Sequence, residues 1–131
     1  MLCLFFISGC SLLSPKAEYI PDNKILPKAI VGKSYFFKII ILGGHVIGGK
    51  RINAGFVVPG DIGISLRNCR LPDRVITANT RDTNDHNCVE IYGTPTRTGV
   101  IKINISGGMY GHMFAPSSEF SKDYILTVIE P

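Results

Sequence analysis

Three histidines are the side chains of this sequence best suited to proton transfer or transition-metal binding: His45, His86 and His112. No two of them have the spacing of a metal-ligand pair, and each lies in a different loop-like stretch. One hypothesis is a glycan or cell-wall hydrolase with His86 or His112 as the base and Asp85 nearby. However, the segment around Ser65 lacks the second glycine of a nucleophile elbow. We therefore predict no catalytic residues, no metal and no cofactor.

A glycine-rich stretch, residues 43–49, has part of the spacing of a phosphate-binding loop. Gly44 and Gly49 precede Lys50 at the required distance, but Arg51 occupies the position of the serine or threonine that binds Mg²⁺. The residues that follow, 52–59, favour a strand over the helix that such a loop requires. We therefore predict a hairpin loop. The net charge of +4 is mild, and we expect no nucleic-acid partner.

The amino-terminal residues indicate an export signal. An apolar run, Leu2 to Ile7, is far too short to span a bilayer as a helix and ends at small residues. Its end, Ile7-Ser8-Gly9-Cys10, resembles a bacterial lipobox, although no Lys or Arg precedes the run. The resemblance implies a signal segment over residues 1–9, a lipidated Cys10 and a tether over residues 10–24. In proteins with a lipobox, an Asp after the lipidated cysteine commonly causes retention in the inner membrane. This sequence has Ser11 at that position, so the resemblance implies a protein anchored at the periplasmic face of the outer membrane.

The number of cysteines is consistent with export to the periplasm. Cys3 falls in the signal segment and Cys10 in the lipobox, which leaves Cys69 and Cys88 for the folded part. An exported protein folds in an oxidising space, so we predict a disulfide between these two.

The remaining residues, 25–131, have the pattern of short strands separated by turns. Ile101, Ile103 and Ile105 alternate with Lys102 and Asn104, so the isoleucines are predicted to face a core and the polar residues water. Residues 34–42 are rich in aromatic and β-branched side chains and form the strongest strand candidate. Further strands are expected over 25–32, 52–59, 62–66, 75–77, 89–93 and 124–129, with loops over 81–87 and 107–118. This pattern predicts one antiparallel β-sandwich of about seven strands.

Four pieces of the sequence resemble the immunoglobulin-like, cadherin-like domains of bacterial surface proteins. In order, the pieces are Val31-Gly32-Lys33-Ser34-Tyr35, Pro59-Gly60 with residues 62–66, Ile91-Tyr92-Gly93-Thr94-Pro95-Thr96-Arg97-Thr98-Gly99, and residues 123–128. The resemblance spans residues 26–130 and implies a single immunoglobulin-like sandwich. Members of this family mostly act as spacers or adhesive modules, so the resemblance implies a fold more than a function. Residues 82–87 also resemble the calcium segment of cadherin linkers, but His86 replaces an asparagine, and a solvated loop is favoured.

From these features we expect a non-enzymatic binding or assembly module of a cell-envelope complex, held at the membrane by its lipid. Alternatives are an inhibitor or immunity protein against a periplasmic enzyme, and the hydrolase considered above. The predicted partner-binding residues form an apolar tip and a basic flank, with a possible contact to glycan. They are Met109, Tyr110, His112 and Phe114 in the tip, and Arg67, Arg70 and Arg74 in the flank.

Overall fold

The structure, a computed structural model, describes residues 15–48, 54–80, 82–111 and 117–131. Within these residues the chain forms eight β-strands and one 3₁₀ turn, Asp73–Val75. The strands are β1 (Glu18–Ile20), β2 (Ala29–Ile30), β3 (Tyr35–Leu42), β4 (Gly55–Val58), β5 (Ile64–Arg70), β6 (Asn84–Gly93), β7 (Gly99–Met109) and β8 (Ser118–Ile129). In this part of the chain no helix is long and apolar enough to cross a membrane.

The strands form two four-stranded sheets. The first sheet has the order β1-β3-β6-β5 and the second has the order β2-β8-β7-β4. All neighbours are antiparallel except β2 and β8, which are parallel. An immunoglobulin sandwich places strands A, B, E and D in one sheet and C, F and G in the other. The observed order matches that arrangement, with β2 as a short additional strand beside β8. The predicted fold class, an all-β sandwich of immunoglobulin-like topology, is confirmed.

The core lies between the sheets and is built from alternate residues of the long strands. Ile101, Ile103 and Ile105 are fully buried, as their period-2 spacing predicts. They face Ile39 and Ile41 of β3 and the inward residues of β6 and β8 in one apolar cluster. Burying each such side chain contributes about 1.5–3 kcal/mol to folding.

Asn104 is the exception to this alternation, because it points away from the core but is only 7% exposed. Its Nδ2 donates hydrogen bonds to Ser121 Oγ (2.8 Å) and Asp123 Oδ1 (2.9 Å) on β8. The expectation that Asn104 faces water is therefore wrong: neighbouring β8 side chains cover it.

The predicted tether contributes a strand. Glu18–Ile20 pairs with the end of β3, with Glu18 opposite Leu42. Two side chains of β8 fasten the residues that follow: the buried Tyr124 donates its hydroxyl to the carbonyl of Pro21 (2.7 Å), and Lys122 Nζ bonds Asp22 Oδ1 (2.8 Å). Burial raises the pKa of Tyr124 to about 12. The contacts come from residues about a hundred positions away, so the local pattern around Pro15 and Pro21 does not reveal them.

Several strand bounds differ from the predicted ones. The predicted loop at 107–118 is shorter, since β7 and β8 pair out to Met109 opposite Ser118. β6 begins inside the predicted loop 81–87, at Asn84. The expected strand at 75–77 is instead the end of the 3₁₀ turn and its exit. β7, β8 and β6 extend beyond their predicted ends because a long neighbouring strand supplies backbone hydrogen-bond partners there. Pairing therefore continues into polar or glycine-rich sequence.

Candidate functional site

The two ends of the sandwich differ, and most of the predicted site residues lie at one of them. We call proximal the end at which the described chain starts, at Pro15. It carries the connections β3–β4, β5–β6 and β7–β8. Gly44 of the β3–β4 connection contacts both Pro15 and Met109, because a Cβ at Gly44 would lie 3.1 Å from Pro15 Cβ and 2.9 Å from Met109 Sδ. The distal end carries the connections β2–β3, β4–β5 and β6–β7.

A cleft of about 400 Å³ opens at the proximal end. It is lined by His45 and Gly48 from the β3–β4 connection, by the start of β6 and the residues before it, and by Tyr110. Two of the three histidines, His45 and His86, therefore share one cleft, while His112 lies outside the described residues. The His45 ring stacks on Tyr110, with 6.3 Å between ring centroids and 29° between planes.

The polar centre of this cleft is an Asp–His pair. His86 Nε2 lies 2.7 Å from Asp82 Oδ2, and Asp82 Oδ1 accepts the backbone N–H of Asn84 at 3.0 Å. The Asn84 hydrogen bond, followed by that of His86, holds the pKa of the Asp82 carboxyl below its usual value. The backbone of Gly48 lies against the imidazole, since a Cβ there would overlap the ring.

The hydrolase hypothesis names Asp85 near a base at His86, and both side chains line this cleft. The carboxylate that holds His86 belongs to Asp82, whereas Asp85 Oδ1 accepts the backbone N–H of Asn87 at 3.0 Å. Among the described residues no hydroxyl or thiol hydrogen-bonds the His86 ring. In the same residues no group of three or more His, Cys, Asp or Glu side chains is placed to hold a metal ion.

Asn87 positions the cleft wall. Its Nδ2 donates to the carbonyls of Ile41 (2.9 Å) and Gly44 (2.7 Å), and its Oδ1 accepts the N–H of Val46 (3.0 Å). One amide side chain thus satisfies a backbone carbonyl near the end of β3 and two backbone groups of the β3–β4 connection. The polar run at 82–87, predicted to be a solvated loop, instead supports the neighbouring connection.

The predicted apolar tip is only partly on the surface. Met109 is fully buried in the core and pairs with Val46 through an isolated bridge. Tyr110 is 53% exposed, and its backbone N–H bonds the carbonyl of His45 at 2.9 Å. His112 and Phe114 lie outside the described residues.

The three predicted arginines do not form one basic face. Arg70 ends β5 at the proximal end, where its guanidinium lies 3.4 Å from Asp73, and Arg74 lies in the 3₁₀ turn. Arg67 lies in the middle of β5 and points outward from the first sheet. Its Nε bonds Glu90 Oε1 at 2.9 Å, and its guanidinium carbon lies 4.1 Å from the centroid of the Tyr92 ring.

Arg67 belongs to a cluster on the outer face of the first sheet, which we call the outer cluster: Phe36, Lys38, Arg67, Glu90 and Tyr92. Phe36 is directly opposite Tyr92, and Glu90 lies between Lys38 and Arg67 in register. Phe36 is 56% exposed despite its size. Sequence reasoning missed this cluster because β3 is apolar on nearly both faces, which read as a central strand. The available signal was the alternation along β3, which puts Phe36 and Leu42 on the same face as the charged Lys38.

The predicted disulfide is present. Cys69 and Cys88 are joined, with 5.3 Å between their Cα atoms, and link the neighbouring strands β5 and β6. The pairing register shifts between Asn68 and Cys69, where extra residues of β6 are accommodated. The bond is therefore within the first sheet, unlike the inter-sheet bond of antibody domains.

Comparison with protein-family models, curated proteins and solved structures found no match.

Proposed function

We propose that this protein is a periplasmic lipoprotein, anchored to the outer membrane through Cys10, that binds a protein partner within a cell-envelope complex and has no enzyme activity. The observation that carries the binding role is the outer cluster. It combines an exposed Phe with a Tyr and an Arg on one sheet face. Tyr and Arg are enriched among the energetically dominant residues of interfaces, and Phe is enriched in interfaces generally.

The geometry of Arg67 supports this role. Its guanidinium is held between Glu90 and the Tyr92 ring while the side chain stays 52% exposed. Such a fixed arginine loses little conformational entropy when it binds, and its remaining donors suit a carboxylate of the partner. The surface therefore fits a protein with an apolar patch beside an acidic residue.

The location is tested by Cys10→Ser. We expect the variant to move from the membrane fraction to the soluble periplasmic fraction, because several acyl chains contribute roughly 0.8 kcal/mol per buried methylene and are lost together. Incorporation of an alkyne-tagged fatty acid should disappear in the same variant. Membrane retention of a Cys10→Ser protein that carries no fatty acid would contradict the anchor.

The interface is tested by crosslinking in intact cells followed by affinity recovery. Phe36→Ala should reduce partner recovery about tenfold or more, since truncating a dominant interface residue typically costs 2 kcal/mol or more. Phe56→Ala is the matched control, because Phe56 is 51% exposed on the outer face of the second sheet.

Charge reversal gives a second pair of test and control variants. Arg67→Glu should weaken the complex in a salt-dependent way, whereas Arg97→Glu should not, although Arg97 makes a similar exposed ion pair with Asp61 (2.8 Å) at the distal end. If Phe36→Ala and Arg67→Glu both recover as much partner as the natural sequence does, the interface lies elsewhere. Recovery of several envelope proteins supports assembly, and recovery of one enzyme supports the inhibitor alternative.

A further inference from the structure

The position at which the chain enters the fold decides how an anchored protein would stand on a membrane. The described chain starts at Pro15, whose carbonyl accepts a hydrogen bond from Ser118 Oγ at the start of β8. Pro15 also contacts Gly44, next to Met109. Pro15 is therefore bound at the proximal end by the start of β8 and by the β3–β4 connection, and it is not the free end of a long tether.

Four residues, Ser11 to Ser14, separate Cys10 from Pro15. A chain spans at most about 3.3–3.6 Å per residue, so Cys10 cannot lie more than about 18 Å from Pro15. The tether expected over residues 10–24 is shorter than predicted, because residues 18–22 are bound to β3 and β8 and belong to the fold.

The distal end lies much farther away. β8 runs the length of the sandwich from Ser118 to Ile129, and twelve strand residues at about 3.3 Å each extend over about 36 Å. An acyl chain on Cys10 can therefore bring the proximal end to the bilayer, but it cannot hold the sandwich upright with the distal end towards the bilayer.

From this geometry we propose that the proximal end is a membrane-facing surface and that its occupant is the headgroup region of the bilayer in which Cys10 is anchored. This inference rests on the proposed lipid anchor. Tyr110 and Val75, both about half exposed, lie at this end, and tyrosine is enriched at membrane–water interfaces. The outer cluster lies on the side of the sandwich and stays accessible to a protein partner.

The described charged residues at the proximal end are of both signs: Lys16, Arg70 and Arg74 with Glu18, Asp73, Asp82, Asp85 and Glu119. To separate the acyl anchor from attraction between charges, the test uses zwitterionic lipid.

The test uses single tryptophan reporters, because the sequence contains no tryptophan. Tyr110→Trp places an indole at the proximal end. Val100→Trp places one near the distal end, at a position that is 64% exposed. Each lipidated full-length variant is reconstituted into phosphatidylcholine vesicles with or without brominated acyl chains, and vesicle flotation is measured alongside fluorescence.

We expect brominated lipid to reduce the emission of Tyr110→Trp roughly twofold and to leave that of Val100→Trp unchanged. Adding Cys10→Ser to Tyr110→Trp should abolish both flotation and quenching. Flotation with equal quenching of the two reporters, or with stronger quenching at position 100, would overturn the orientation while leaving the anchor intact. Failure of the fatty-acid-modified protein to float would overturn both.

Discussion

Replacing both Cys69 and Cys88 by alanine is expected to lower the free energy of unfolding by about 3 kcal/mol. The bond joins residues 19 positions apart, and releasing a closed loop of that size increases the entropy of the unfolded chain by an amount worth about 3 kcal/mol. Both cysteines are buried and small, so alanine leaves little empty space. Denaturant unfolding followed by circular dichroism measures the loss, and the strand signal of the folded protein should not change.

Reductant provides the internal control for this experiment. Sufficient reductant should lower the unfolding midpoint of the natural sequence to that of the double variant and should leave the double variant unaffected. A double variant as stable as the natural sequence, or free thiols at Cys69 and Cys88 by intact mass of the protein purified without reductant, would contradict a stabilising disulfide.

Gly93→Ala is expected to destabilise the fold by about 4 kcal/mol. Gly93 has φ +126°, a conformation that costs an L-residue about 1–3 kcal/mol. A Cβ there would also overlap the carbonyl oxygen of Gly63, on the chain entering β5, and relieving such overlap costs roughly 1–3 kcal/mol more. The measurement is the unfolding midpoint in denaturant.

Two other glycines separate these contributions. Gly99 has φ +149° but no atom within 4 Å of an added Cβ, so Gly99→Ala should show only the conformational cost of about 1–3 kcal/mol. Gly60 has neither feature, since its nearest atom would be 3.6 Å away, and Gly60→Ala should change stability by less than about 0.5 kcal/mol. Equal effects of Gly93→Ala and Gly99→Ala would show that the close approach of Gly93 and Gly63 is unimportant.

The glycine result bears on the most specific part of the sequence pattern, the turn at Gly93-Thr94-Pro95. In the structure Gly93 ends β6, and Thr96 N–H bonds the carbonyl of Ile62 at 2.9 Å. The turn thus fastens the β6–β7 connection to the β4–β5 connection. Its glycine was recognisable from sequence as a turn residue, whereas its partner Gly63 was not, because the two are thirty positions apart.

The candidate surfaces were less predictable than the fold. Tyr110 and Arg67 were identified from residue type, and both are substantially exposed. Met109 was assigned to the same tip but is in the core, because β7 continues through Gly107 and Gly108 and carries it inward. Gly107 and Gly108 made residues 107–118 look like a loop in the sequence. Because β7 instead continues to Met109, Met109 is buried and Tyr110 is the residue that reaches the surface.

The sequence by itself determined the all-β class, the inward-facing isoleucines of β7 and the pairing of Cys69 with Cys88. Each follows from a local property: side chains alternate every two residues along a strand, and two cysteines remain for the folded part. Only the tertiary structure decided that Glu18–Ile20 joins the first sheet, that Phe36 lies opposite Tyr92, and that Pro15 enters at the end carrying Tyr110. These features depend on strand register and on contacts between residues far apart in sequence, such as Lys122 with Asp22. A period-2 pattern specifies which face of a strand is buried but not which strand lies beside it.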